Sequence, residues 1–138
     1  MSKEELWKII DDLRNELKSN RNDPSLHHAL AIVYFSRGFY LSSEENFFTA
    51  IQYNPQDAKI HYNLGILYYS AQPKMKAEKA WQEALRLDPT MGNAHLNLSF
   101  LYYESGQYQS AWDHCQKALQ LGISVPSSFV NEIRKRNS

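Results

Sequence analysis

The chain has 138 residues, with 15 Lys plus Arg against 15 Asp plus Glu and a formal net charge of +0, so bulk charge directs it neither to nucleic acid nor to an anionic membrane surface. Its one cysteine, Cys115, cannot close an internal disulfide, and no apolar run reaches the roughly 20 residues of a bilayer-crossing helix. These features, with no apolar signal segment, predict a cytoplasmic protein that does not insert in membranes.

Taken in chain order, residues 3–19 read as an amphipathic helix, begun by Ser2 with Glu5 as a capping box and carrying Leu6, Ile10, Leu13 and Leu17 on one stripe. That stripe suits an end cap for a stack of repeats, and equally a dimerisation element; the cap, and with it a monomer, is the preferred reading. After residues 1–23 the pair Asp23-Pro24 opens a second helix, proline being well placed in a first helical turn.

From here the sequence repeats at an interval of 34 residues, in units 24–57, 58–91 and 92–125. The segments "HHALAIVYFS", "HYNLGILYYS" and "HLNLSFLYYE" align from His27, His61 and His95. Further columns hold Leu30, Leu64 and Leu98; Ala31, Gly65 and Ser99; Tyr34, Tyr68 and Tyr102; Ser43, Ala77 and Ala111; Phe47, Trp81 and Cys115; and Ala50, Ala84 and Ala118. Small residues in two of these columns let paired helices approach closely while tyrosine and tryptophan fill the space between them, so each unit reads as a helical hairpin.

Gly38 and Gly106 mark the ends of first helices, and Ser42 with Glu45 offers a capping box for the next helix of the first unit. The middle unit has Gln72-Pro73 instead, which predicts a turn of altered geometry. The column of Pro55 and Pro89 ends in Ile123, where the repeat gives way, and beyond Pro126 the stretch "SSFVNEIRKR" within 126–138 reads as a closing helix that places Phe129, Val130 and Ile133 on the last hairpin.

With these columns the chain resembles the tetratricopeptide repeat family over residues 24–125. The resemblance implies an all-α, right-handed superhelical array of three hairpins within a single domain, capped at both ends, that acts as a non-catalytic scaffold or adaptor for a protein or peptide partner. It also implies that the first helix of each hairpin lines a concave groove. The groove residues are then His28, Ile32 and Phe35 from the first unit; Lys59, Tyr62, Asn63, Ile66 and Tyr69 from the second; and Asn93, Leu96, Asn97, Phe100 and Tyr103 from the third. Among the groove-facing side chains only Lys59 and Glu104 are fully charged, so apolar and aromatic contact dominates. Asn63 and Asn97 share a column whose amide, in peptide-holding members, grips the ligand backbone.

The subfamily that clamps chaperone C-termini uses Lys, Asn and Arg on these helices; here His28, Ile32, Asn93 and Asn97 depart from that set and only Asn63 agrees. Tight binding of an acidic chaperone tail is therefore not expected. A second implied reading is a holding chaperone for an apolar secreted or membrane protein, dimeric through its first helix.

No catalytic constellation, phosphate loop or paired-cysteine motif is present, so neither enzyme activity nor a cofactor is expected. His27, His61 and His95 in register suggest a metal only superficially, because packed helices lie about 10 Å apart and zinc takes nitrogen at about 2 Å. They read instead as medium-sized rings filling inter-helix space, and Cys115 as a small buried hydrophobe. The basic run at Arg134, Lys135 and Arg136 reads as a solvated helix end that suits the helix dipole.

Overall fold

A computed structural model describes all 138 residues. The chain is all-helical: α1 (Lys3–Ser19), α2 (Pro24–Ser36), α3 (Tyr40–Tyr53), α4 (Ala58–Ala71), α5 (Lys74–Leu87), α6 (Gly92–Glu104), α7 (Tyr108–Gln120) and α8 (Ser127–Arg136). The pairs α2/α3, α4/α5 and α6/α7 are antiparallel hairpins that stack in chain order, with α1 against α2 and α8 against α7.

Small residues set how closely each pair crosses. In the first hairpin Ser43 Oγ donates to the Ala31 carbonyl at 2.7 Å, and in the third Ser99 Oγ donates to the Ala111 carbonyl at 2.7 Å. These hydroxyls are fully buried and each is satisfied by the facing backbone. In the second hairpin Gly65 takes that place: a Cβ there would lie 2.3 Å from Trp81 Nε1, so the indole packs directly on the α4 backbone. Successive hairpins are joined by a pairing that itself repeats. Tyr68 Oη donates to Glu44 and Tyr102 Oη to Glu78, both at 2.7 Å. Burial first, and then the carboxylate, raise both phenols above the ordinary tyrosine value.

The histidine column has a structural task that spacing did not reveal. His27 Nε2 contacts the Arg21 carbonyl at 2.8 Å and His61 Nε2 the Pro55 carbonyl at 3.2 Å, so each ring ties a helix to the loop before it. No three side chains of the His, Cys, Asp or Glu type gather in a metal-holding group. Cys115 is fully buried, and burial raises its thiol pKa.

Two turns differ from expectation. Helix α3 begins at Tyr40, ahead of Ser42, and has no side-chain cap; the chain re-enters the helix directly after the left-handed Gly38, so the Ser42–Glu45 box never forms. In the middle hairpin Gln72 adopts φ +79, against +78 and +76 at Gly38 and Gly106. The turn geometry is therefore kept, at the cost of about 1 kcal/mol or more for a side chain in the left-handed region.

The expected Ser2–Glu5 capping box is present, with the Asp23 side chain capping α2 through Ser25 and Leu26 N–H. Helix α1 also sits in repeat register, because shifting Ser19 and Asn20 by one repeat gives Tyr53 and Asn54, which end α3 through the same cap bond to the carbonyl four residues back. It occupies the place of a hairpin's second helix. Ile10, in the column of Glu44, is fully buried beside Leu30 and Tyr34, whereas Glu16 occupies the column of buried Ala50, Ala84 and Ala118 and is exposed. At the other end α8 buries Ile133 and packs Phe129 and Val130 onto the core. No helix is long and apolar enough to cross a membrane.

Candidate functional site

Helices α2, α4 and α6 run side by side, and their shared face carries two hollows. The larger lies between the second and third hairpins, about 460 Å³, walled by Tyr62, Ile66, Tyr69, Trp81 and Phe100, with Asn97 and Glu104 also lining it. The smaller, about 190 Å³, lies between the first and second and holds His28, Ala29, Ile32, Asn54, Asp57 and Ile60. Six of the residues read from the sequence as groove-facing, Glu104 among them, thus converge in the larger hollow, and His28 and Ile32 fall in the smaller.

The two ladder asparagines are held from the neighbouring helix. Asn63 Nδ2 lies 2.8 Å from His28 Nε2, and Asn97 Nδ2 donates to Tyr62 Oη at 3.3 Å. Each amide keeps its Oδ1 and a second N–H, one acceptor and one donor, to present in a fixed orientation. The Asn63 bond uses a neutral imidazole; burial lowers the His28 pKa, outweighing the opposing pull of Asp57.

The far edge of the larger hollow is polar. Tyr69 Oη and Lys74 Nζ both donate to Glu104, the lysine at 2.7 Å, and the ammonium lies 6.0 Å from the centre of the Tyr69 ring. The Lys74 hydrogen bond, followed by that of Tyr69, lowers the Glu104 pKa, while burial and this carboxylate push Tyr69 up to about 12. Glu104 is ionised and Tyr69 neutral at physiological pH.

The remaining predicted residues are distributed along the groove. Lys59 and Asn93 are exposed in the first turns of α4 and α6, and Leu96 is half-buried beside Asn97. Phe35 packs against Tyr40 at 5.9 Å between ring centres. Tyr103 is drawn under the terminal helix, its ring edge-on to Phe129 at 5.5 Å and its hydroxyl donating to Glu132 at 3.3 Å. Phe129 also lies 4.4 Å from Phe100, so α8 closes the groove next to the larger hollow.

Two contributors come from outside the groove-facing columns. Trp81 stands on α5, the outer helix, and reaches the hollow past Gly65 with Nε1 donating to the Tyr62 carbonyl at 3.1 Å. The glycine in a column of Ala and Ser, facing the largest member of the aromatic column, was the available signal. Lys74, at the start of the same helix, has no counterpart signal in the repeat.

Stacked helical hairpins with a recessed, aromatic-lined inner face define a helical-repeat interaction module. The Tetratricopeptide repeat family model matches residues 28–75 and 74–126, and the chain belongs to that family. No curated protein matches the sequence. Among solved structures, a crystal structure of MamA superposes with a TM-score of 0.78 at 21% identity, over 82% of this chain and 66% of that one. A second MamA crystal structure gives 0.76 at 19% identity over 92% and 76%. Pseudomonas aeruginosa pilF gives 0.81 at 21% identity, over 91% of this chain and 58% of pilF. The chain thus spans about two thirds of the first MamA structure and less of pilF. At these identities the likeness establishes the shared superhelical fold. Repeats of this family generally serve as non-catalytic protein-interaction modules.

Proposed function

We propose that this protein is an adaptor that holds a peptide segment or helix of another protein along α2, α4 and α6, with the hollow between the second and third hairpins as the principal contact. The observation that carries this reading is the convergence of Tyr62, Ile66, Tyr69, Trp81 and Phe100 around one open recess beside a pre-oriented asparagine amide. Burying one large apolar side chain there contributes about 1.5–3 kcal/mol. Four hydrogen bonds from the two amides add about 2–6 kcal/mol in total. The gross sum, about 3.5–9 kcal/mol, spans the roughly 8 kcal/mol of micromolar affinity before the cost of association is subtracted, so contacts in the smaller hollow are part of the interaction. Binding here is complementarity without turnover, in a reducing cytoplasm, by a monomer whose α1 serves as the end cap.

Affinity capture from source-cell lysate tests this reading, comparing the native chain with Asn63→Ala/Tyr69→Ala/Asn97→Ala after matching helicity and melting. A protein retained only by the native chain supports the groove; equal retention moves the site to another surface. The holding-chaperone reading draws its support from the apolar stripe of α1. It requires a dimer, and a single protomer mass in light scattering, for both the whole chain and one starting at Asn22, removes it.

A further inference from the structure

The larger hollow carries a built-in indication of what it recognises. Glu104 is the only charged residue lining it; the other six are Tyr62, Ile66, Tyr69, Trp81, Asn97 and Phe100. Across its rim the protein's own Lys74 places its ammonium 2.7 Å from Glu104 Oε2 and over the Tyr69 ring, with the side chains of both Lys74 and Glu104 about 40% exposed (40%/39%). This contact between solvent-exposed partners is a weakly held ion pair, open to exchange with an incoming cation. A carboxylate beside an aromatic face is a receptor for ammonium or guanidinium, and a guanidinium adds planar stacking and a two-pronged hydrogen bond that lysine lacks.

From this geometry, and resting on the groove reading above, we infer that the hollow recognises a two-residue element in the partner peptide: a bulky apolar side chain that enters between Ile66, Trp81 and Phe100, next to a lysine or arginine that displaces Lys74 from Glu104 and Tyr69. The apolar residue provides the buried area and the cation provides the selectivity. Lys74 is an internal competitor, so its removal strengthens binding. Arginine is preferred to lysine because the site already balances against an ammonium and the guanidinium makes contacts the resident group does not. A peptide with an acidic residue at the second position is disfavoured, since it faces Glu104 with no free cation lining the hollow.

The test uses the intact chain and three N-acetylated, C-amidated hexapeptides, Gly-Ser-Phe-Arg-Ser-Gly, Gly-Ser-Phe-Glu-Ser-Gly and Gly-Ser-Ala-Arg-Ser-Gly, titrated into the millimolar range. The readout is the Trp81 indole N–H resonance, whose donor to the Tyr62 carbonyl lies in the hollow's wall. The Phe-Arg peptide moves this signal, and the Phe-Glu and Ala-Arg peptides bind at least about fivefold more weakly, the order of one charge-assisted contact or one apolar side chain. Lys74→Ala tightens the Phe-Arg peptide about two- to fivefold. Glu104→Gln abolishes or reverses the preference for Phe-Arg over Phe-Glu, because it also leaves the Lys74 ammonium without its carboxylate, while the native fold, read from the other amide resonances, is kept. Equal binding of Phe-Arg and Phe-Glu by the native chain, or an unchanged ratio in Glu104→Gln, overturns the charge inference and leaves the groove reading standing. If no peptide moves any resonance of α2, α4 or α6, both fall.

Discussion

The two hollows lie on one face of one array, on backbones that repeat, yet one is a small polar recess and the other a large aromatic one. The difference traces to a few columns. Where the first hairpin pairs Ala31 with Phe47, the second pairs Gly65 with Trp81, and loss of one Cβ lets the indole through to the concave side. Where the first hollow has His28, Ala29 and Ile32, the second has Tyr62 from α4 and Asn97 and Phe100 from α6. A repeat frame fixes where side chains stand; their sizes at the helix crossing decide which reach the groove.

The comparison can be broken most severely at Trp81. Trp81→Ala removes a side chain 2% exposed from both core and hollow and costs about 3–5 kcal/mol in denaturant unfolding, with the Phe-Arg peptide no longer bound. Gly65→Ala forces the same ring off the α4 backbone and costs about 1–3 kcal/mol. Adding Trp81→Phe, which recreates the Ala31/Phe47 pair, recovers most of that loss, so the two changes are non-additive in a double-mutant cycle. It also makes the second hollow resemble the first, with the peptide signal lost from a stable protein. A smaller gain comes from Gln72→Gly, which gives the middle turn the residue its left-handed φ favours and raises stability by about 0.5–1 kcal/mol.

The gentlest probe is acid, and it compares the first hairpin with the third. His27 Nδ1 meets Asn46 Oδ1 at 3.0 Å, but in the equivalent place His95 Nδ1 meets His114 Nδ1 at 2.9 Å. Burial first, and then the neighbouring His95 and Lys117, lower the His114 pKa to about 4, while burial also lowers His95. In the unfolded chain a histidine titrates near 6.5, so it takes up protons there before the folded state does. The stability of the third hairpin is therefore complete above pH of about 6.5 and declines as pH falls toward 4. His114→Asn, copying the first hairpin, flattens the melting temperature across that window. An unchanged pH profile contradicts the assignment.

Much of the fold was legible because its signals are local or periodic. The interval between equivalent columns gave the hairpins, the Ser2–Glu5 box gave the start of α1, and Gly38 and Gly106 gave two turns. Other features depend on what lies across a helix crossing. Gln72 takes a glycine's conformation although the following Pro73 disfavours it, because the packed hairpin holds it there, and the Ser42–Glu45 pattern was overridden by a helix that starts three residues earlier. Helix α1 keeps repeat register with only part of the repeat columns: Leu13 and Leu17 align with Phe47 and Ile51, but Glu16 stands where the complete units have Ala, so its place as a second helix was clear only in space. The groove residues could be read as columns. Their division into a polar recess, an aromatic hollow and a wall under α8 could not, because it depends on the reach of Trp81, Lys74 and Phe129 from other helices.

The most direct measurement is site-specific photo-crosslinking in the source cells. A benzophenone amino acid replaces Ile66 in the larger hollow in one chain and the outward-facing, 71%-exposed Leu41 in another. The account predicts a discrete partner adduct from position 66, lost in Asn97→Ala/Phe100→Ala, and none from position 41. An adduct from 41 with none from 66 would place the binding surface on the outer edge of the array and contradict the concave groove.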